Sequence, residues 1–441
     1  MIKNNPFIFS NGFYKYFKNT SWLFTEILLR TIVTLFIGVW VARYLGPSSF
    51  GLFSYAQSFV ALFAVIATLG LNSIVVRELV ANKIAPGKII GTAFVLKLIG
   101  AITTLLLLGI AIIFTENSKS TNLFIFIIAS ATIFQSFNVI DFYFQSKVLS
   151  RYVVFANIFS LLVSSIIKVY LILSSASLIS FVWVVLFDSI VLATGYIYMY
   201  SKNNLYFNDW KFDSLIAKNM LRDSYPLIIA GVINSVYMKI DQVMIKDILN
   251  DIDVGYYSAA VKLSEAWFGV GVIICNSLFP AILNSKKIST DFYYKRIQKL
   301  FVFLIVISYL LSVFVYVFSD YIVLSLYGED FYKTSNVLSI HIFSAIFVYL
   351  GVSSGRWLIS ENKAFLNLSR NIAGLIVNIT LNFILIKDYG IIGAAYASLT
   401  AYILAFYVFD LFLKDTRKIF ILKSKALLLL KLQLLITDDK K

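Results

Sequence analysis

The chain has 441 residues, of which 60% are hydrophobic and 14% charged, and its formal net charge is +15. A soluble protein carries roughly 25% charged residues, and no water-soluble fold of this length hides so much apolar surface. With Cys275 as the single cysteine and His341 as the single histidine, a disulfide framework and a multi-ligand zinc or thiolate site are excluded, so neither metal nor cofactor is expected.

Lys3, Lys15 and Lys18 precede the first apolar run, 22–45. That run is too long for a signal-peptide core and no small-residue cleavage site follows it, so it reads as a retained span. Further blocks of about 20 residues, the length that crosses a hydrocarbon core of roughly 30 Å, follow at 50–71, 89–114, 121–145, 152–173 and 178–200. A second set lies at 224–245, 255–284, 300–318, 334–360, 365–386 and 391–413. Pro280 sits late in the eighth span beside Gly269 and Gly271, where a missing backbone hydrogen bond predicts a kink. His341 stands alone in the tenth span and reads as a packed or hydrogen-bonded side chain. After Asp415, the stretch 419–436 is apolar but interrupted by Lys423, Lys425 and Lys431, which predicts an interfacial amphipathic helix in preference to a thirteenth span.

The spans predict an all-α polytopic membrane protein of about 12 transmembrane helices in two six-helix lobes around a central cavity. The lobes are 1–200 and 224–413, joined by a cytoplasmic linker 201–223 and followed by a basic tail 414–441. Loop charges orient this map. With the amino terminus cytoplasmic, inside segments hold 27 Lys and Arg, whereas outside loops hold only Arg43, Lys119, Lys246, Lys333 and Lys387. Both termini are therefore expected in the cytoplasm. The basic balance then reflects topology and attraction to anionic headgroups, and nucleic acid is not an expected partner.

A faint repeat joins the halves. Gly51-Leu-Phe-Ser-Tyr-Ala56 matches Gly255-Tyr-Tyr-Ser-Ala-Ala260, and 143–161 aligns with 357–375, pairing Ser146 with Ser360 and Asn157 with Asn371. Both halves enter the membrane in the same direction, which relates them by an axis along the membrane normal.

Six cations remain at membrane depth: Arg30, Lys97, Lys168, Lys239, Lys262 and Arg356. Each costs about 2.5–3.5 kcal/mol facing lipid at a span centre, so each is expected to face protein or water. The acids at that depth are Glu26, Asp141, Asp188, Asp241 and Glu265. Glu26 with Arg30 (i, i+4) and Lys262 with Glu265 (i, i+3) are spaced to neutralise each other. Lys97, Lys168 and Arg356 have no acid within a turn of their own helix. They read as cavity cations, as snorkelling side chains, or as interhelical partners of Asp141 or Asp188. Surplus positive charge favours an anionic ligand, and arginine suits phosphate or pyrophosphate. Asp241 is a candidate for proton or cation coupling, with an interhelical salt bridge as the alternative.

Several stretches resemble the O-antigen repeat-unit flippases, in the polysaccharide-exporter branch of the multidrug/oligosaccharidyl-lipid/polysaccharide exporter superfamily. They are Ala42-Arg-Tyr-Leu-Gly-Pro-Ser-Ser-Phe-Gly51, Leu69-Gly-Leu-Asn72, Val76-Arg-Glu-Leu79, Asp241-Gln-Val-Met244, Val254-Gly-Tyr-Tyr-Ser-Ala-Ala260, Leu326-Tyr-Gly-Glu-Asp-Phe331 and Tyr389-Gly-Ile-Ile-Gly-Ala-Ala395. The resemblance implies a cavity that opens alternately to either face of the inner (cytoplasmic) membrane and moves an undecaprenyl-diphosphate-linked oligosaccharide outward. A polysaccharide polymerase and a chain-length regulator become candidate partners. It transfers no cavity cation residue by residue, so the site residues rest on depth and charge. Two other readings compete: a cation-coupled drug exporter of the same fold, and a membrane enzyme. Against the enzyme, the longest outside loop is only about 319–333.

Overall fold

The computed structural model describes residues 11–430; Lys3 and the end of the predicted tail, including Lys431, lie outside them. The protein is 88% helical and holds no strand among the described residues. This is what a bilayer demands, since helices satisfy their backbone polar groups internally.

Among the described residues, ten helical stretches are long and apolar enough to cross a membrane. Two of them, Asn19–Ala81 and Ala364–Phe412, contain 63 and 49 residues. Straight, they would run about 95 and 74 Å, far more than one crossing needs. Each turns at a glycine in the left-handed region, Gly46 at φ 69° and Gly390 at φ 59°, a conformation that costs side-chain-bearing residues energy. Dividing both stretches gives twelve crossings at the predicted places.

The helices overrun the apolar blocks that betray them. Ser214–Ile248 starts ahead of the predicted 224, and Thr290–Tyr327 extends beyond 300–318 at both ends. Hydropathy detects the segment in hydrocarbon, whereas the hydrogen-bond ladder continues into water until a cap stops it. Asn250 and Ser289 are such caps, accepting from the N–H groups of Asp253 at 2.9 Å and Phe292 at 3.1 Å, each worth about 1 kcal/mol. The Asp251–Ser285 helix runs unbroken through Pro280. Gly271 serves packing, since a Cβ there would overlap the Tyr349 ring, whereas Gly269 faces open space.

The tail forms no thirteenth span among the described residues. Arg417–Leu427 is a helix of 11 residues, about 16 Å long. One face is buried, with Ile419 and Ala426 in a core that includes Leu300, Phe301 and Trp357. Lys423, read from sequence as a polar interruption, is fully buried.

Contacts divide the chain into two compact units. Unit 1 comprises residues up to Val41 together with Phe59–Val232; unit 2 comprises Ala42–Ser58 and the chain from Ile233 onward. In unit 1 the segment around 207–213 is docked against the Pro86–Ile113 helix. Lys211 N–H donates to the Gly87 carbonyl at 3.3 Å, Asp213 N–H donates to Thr92 Oγ1 at 3.0 Å, and Trp210 Nε1 donates to Tyr200 at 3.0 Å. The Asp213 carboxylate accepts from the Leu215 and Ile216 N–H groups. The Ile216 bond holds it below the usual carboxylate range.

The repeat has a structural counterpart. In unit 2, Gly51 and Gly255 stand at a helix crossing without intervening side chains. A Cβ on Gly51 would overlap the Asp251 carbonyl, and one on Gly255 would overlap the Pro47 carbonyl. Each glycine thus meets the residue four before the other, and small residues allow the close approach that drives helix association in lipid. Ser146 and Ser360 also match. Each donates to the carbonyl three residues back, at 2.7 and 2.8 Å, and each is followed two residues later by a left-handed residue, Val148 at φ 58° and Asn362 at φ 60°.

Candidate functional site

In unit 2 the Asp251–Ser285 helix presents a stripe of accessible residues seven apart, Lys262, Gly269 and Asn276. Seven residues make nearly two turns, so all three share a face about 21 Å long. Arg356, on the Ser344–Ser360 helix, donates through Nη2 to Asn276 Oδ1, while its Nε is buried with no hydrogen-bond partner among the described residues. An amide in place of an acid leaves the guanidinium charge intact, and the open Nε leaves donor capacity unused.

Lys262 and Glu265 do not form the i, i+3 pair their spacing suggests. Glu265 Oε2 lies 3.7 Å from Lys239 Nζ on the Ser214–Ile248 helix, and Lys262 acts on Glu265 at longer range. Lys262 Nζ stands over the Phe50 ring, 4.7 Å from its centroid. The tertiary partner prevails because both helices project these side chains into one gap, which i, i+3 counting cannot see.

Asp241, on the Ser214–Ile248 helix, is buried. Its Oδ1 accepts from Asn382 Nδ2 at 2.6 Å, and its Oδ2 accepts from Tyr257 Oη at 2.6 Å and from Ser398 Oγ. Asn382 Nδ2 also reaches Asn378 Oδ1 at 3.2 Å. Among the described residues no cation touches the carboxylate, and neutral donors stand where the predicted alternative had an interhelical salt bridge. Four neutral side chains surround it, and Asn382 Oδ1 is buried without a partner. Two carboxylate oxygens, one free amide oxygen and two hydroxyls converge there. That donor set suits a proton or a small hard cation. His341 is buried, with Nδ1 2.7 Å from Ser264 Oγ and its ring stacked near Phe268, as expected for a packed histidine.

In unit 1, Glu26 Oε1 and Arg30 Nε form the predicted pair at 2.7 Å, with Glu26 buried and Arg30 exposed. Lys97 is buried, its Nζ 5.0 Å from the Phe142 ring centroid and in electrostatic contact with Asp141. Asp141 accepts from Gln145 at 2.9 Å and interacts with Glu26. Lys168 interacts with Asp188, whose Oδ1 accepts from Ser160 Oγ at 2.7 Å. The cations of unit 1 therefore face acids, whereas Arg356 in unit 2 is held by an amide.

The sequence reading missed three groups. Asn378 and Asn382, at i, i+4 in an apolar helix, were the available signal for the Asp241 nest. Arg370, which lies within the span 365–386 yet outside the six cations singled out from sequence, is fully buried. It donates to Ser354 Oγ at 2.8 Å and the Gly351 carbonyl at 2.7 Å. Lys423 donates to Asp410 Oδ2 and to the Phe406 carbonyl, both at 2.6 Å. That carbonyl lies in a π-helical turn, Leu404–Val408, where the α-helical ladder is interrupted.

Twelve helical crossings with charged groups buried among them define a multi-pass membrane protein. The sequence model of the polysaccharide biosynthesis protein family matches residues 16–286, and the chain belongs to that family. It is similar to the capsular polysaccharide biosynthesis protein CapF of Staphylococcus aureus, with 21% identity over 395 residues covering 86% of this chain and 94% of CapF. Among solved structures it resembles the lipid II flippase MurJ in an inward closed conformation, with TM-score 0.70, 16% identity, and 95% and 93% of the two chains covered. It also resembles an inward-facing multidrug resistance MATE family transporter of the MOP superfamily, with TM-score 0.67, 14% identity, and 88% and 96% covered.

Proposed function

We propose that this protein is a flippase that moves undecaprenyl-diphosphate-linked oligosaccharide repeat units, of O-antigen or a similar surface polysaccharide, from the cytoplasmic to the outer leaflet by alternating access. It works in the inner membrane with both termini cytoplasmic, and it is a transporter and not an enzyme. The carrying observation is Arg356, a guanidinium at membrane depth held by Asn276 with one donor open. Pyrophosphate fits such a group, because guanidinium and phosphate oxygens pair with two parallel bonds. Lys262 and Lys239 extend the cationic face, while Arg30, Lys97 and Lys168 supply positive charge in unit 1. Asp241 is the coupling acid, alternately binding and releasing a proton or a monovalent cation. Family membership, the similarity to CapF and the MurJ-like fold support the reading, and a polymerase and chain-length regulator are the expected downstream partners.

Leaflet-specific labelling of the lipid-linked unit in reconstituted vesicles tests it. A charge-assisted hydrogen bond is worth about 1.5–3 kcal/mol, so Arg356→Gln is expected to slow outward movement by about tenfold to a hundredfold. Lys168→Gln should slow it less. Unchanged movement in both variants would overturn the site assignment.

The MATE-like fold favours a second reading, a cation-coupled exporter of small molecules. Under that reading Asp241→Asn would abolish efflux of cationic drugs from cells, and Arg356→Gln would leave it intact.

A further inference from the structure

Unit 1 contains a groove of about 890 Å³ between the Arg151–Leu173 and Leu178–Lys202 helices. Its floor lies where the helices touch, a Cβ on Gly195 standing 3.1 Å from that of Ala156. Phe155, Phe159, Phe187 and Tyr198 wall it, all exposed. Lys202 is the one charged residue of the lining among the described residues. None of the depth-charged residues described above contributes to it.

Three features of the groove select its occupant. From Phe187 to Lys202 the wall advances about 22 Å along one helix, whereas a leaflet's hydrocarbon is about 15 Å deep, half of roughly 30 Å. An ordinary acyl chain ends within its leaflet; this groove continues past the midplane. The walls are mostly apolar: the Thr194 hydroxyl is engaged by its own helix, donating to the Ile190 carbonyl at 2.8 Å, and Tyr198 stands at the Lys202 end. The charge sits at one end only, where Lys202 Nζ lies 5.6 Å from the Tyr198 ring centroid. The loop charges make that end cytoplasmic, at the depth where a lipid phosphate would lie.

We propose that this groove seats the polyisoprenoid chain of a lipid phosphate, with the phosphate against Lys202 and the chain along Phe187 and Phe159. The proposal deepens the flippase reading and rests on it for the source of the lipid and for orientation. In this arrangement the cargo is held by its tail on unit 1, so that tail recognition is independent of the sugar.

The test uses the full chain in phosphatidylcholine nanodiscs, with undecaprenyl phosphate as the probe and native mass spectrometry as the readout. Saturable binding is expected, about tenfold or more tighter than that of farnesyl phosphate, because the shorter chain leaves most of the groove unfilled and gives up the packing contacts along it. Thr194→Trp, which fills the groove, should weaken binding at least tenfold, and Lys202→Gln by about twofold to fivefold, as for an exposed charge. A photo-crosslinking benzoyl-phenylalanine replacing Phe187 should capture the probe, which keeps the question decidable if Thr194→Trp misfolds. Displacement by equimolar phosphatidylglycerol, unaltered affinity in a folded Thr194→Trp variant, or no capture at Phe187 would overturn the proposal. The flippase reading fails separately: if wild-type protein moves the lipid-linked unit while the groove variants bind and move it normally, only the groove assignment falls. If wild-type protein binds the probe but moves nothing across, only the transport reading falls.

Discussion

Among its described residues unit 2 buries two carboxylates, Asp410 and Asp241, and their surroundings differ in kind. Asp410 meets a lysine, fully buried like itself, whose ammonium also satisfies the Phe406 carbonyl of the π-helical turn. Asp241 meets hydroxyls and amides, with an amide oxygen left over. A charge closed by an opposite charge has nothing further to bind. A charge held only by neutral dipoles, beside a spare acceptor, still lacks a positive partner and can take one that comes and goes. Burial alone therefore does not separate structural acids from working ones. The composition of the nearest shell does.

The largest expected effect breaks the closed pair. Lys423→Met strands the Asp410 charge and should lower stability by about 3–5 kcal/mol. Replacing both residues with apolar ones of similar volume, Asp410→Leu with Lys423→Met, should recover most of that loss, read as thermal midpoints in detergent. Failure of the double variant to recover would mean the π-turn carbonyl, and not the charge, is what Lys423 serves.

Asp241→Asn tests the other side. The Tyr257 and Ser398 hydroxyls can turn from donor to acceptor, so the nest survives and stability should change by about 1 kcal/mol or less. Dependence of transport on pH or on a cation gradient should nevertheless disappear. A loss of stability comparable to that of Lys423→Met would erase the contrast. The smallest effect expected is that of Ser398→Ala, which removes one of the carboxylate's donors. Coupling should persist with several-fold weaker dependence on the driving ion, measured as a shift in the half-saturating cation or proton concentration.

Much of this was legible in the sequence. Apolar blocks located all twelve crossings, because hydrocarbon thickness acts on composition directly. Glu26 with Arg30 was legible because both ends of the contact lie on one helix turn. Glu265 with Lys239 was not, because the partner comes from another helix and only packing decides between it and Lys262. Lys423 was misplaced for a related reason. Position along the chain gave it surface depth, whereas the short helix at 417–427 carries it against Asp410 and the π-turn. The Asp241 nest lay between these cases: Asn378 and Asn382 showed a polar face on an apolar helix, and only the structure joined that face to Asp241.

The crossing of Gly51 and Gly255 also bears on the order in which the protein is made. The segment that fills the Gly255 contact leaves the ribosome long before the helix it must meet, with most of unit 1 synthesised in between. During that interval the glycine face of 42–58 has no partner from its own unit. A gene cut between the halves would yield a second half missing one of its own helices. Unit 2 can be completed only once a piece made early is joined by pieces made late, so its assembly waits for the whole chain.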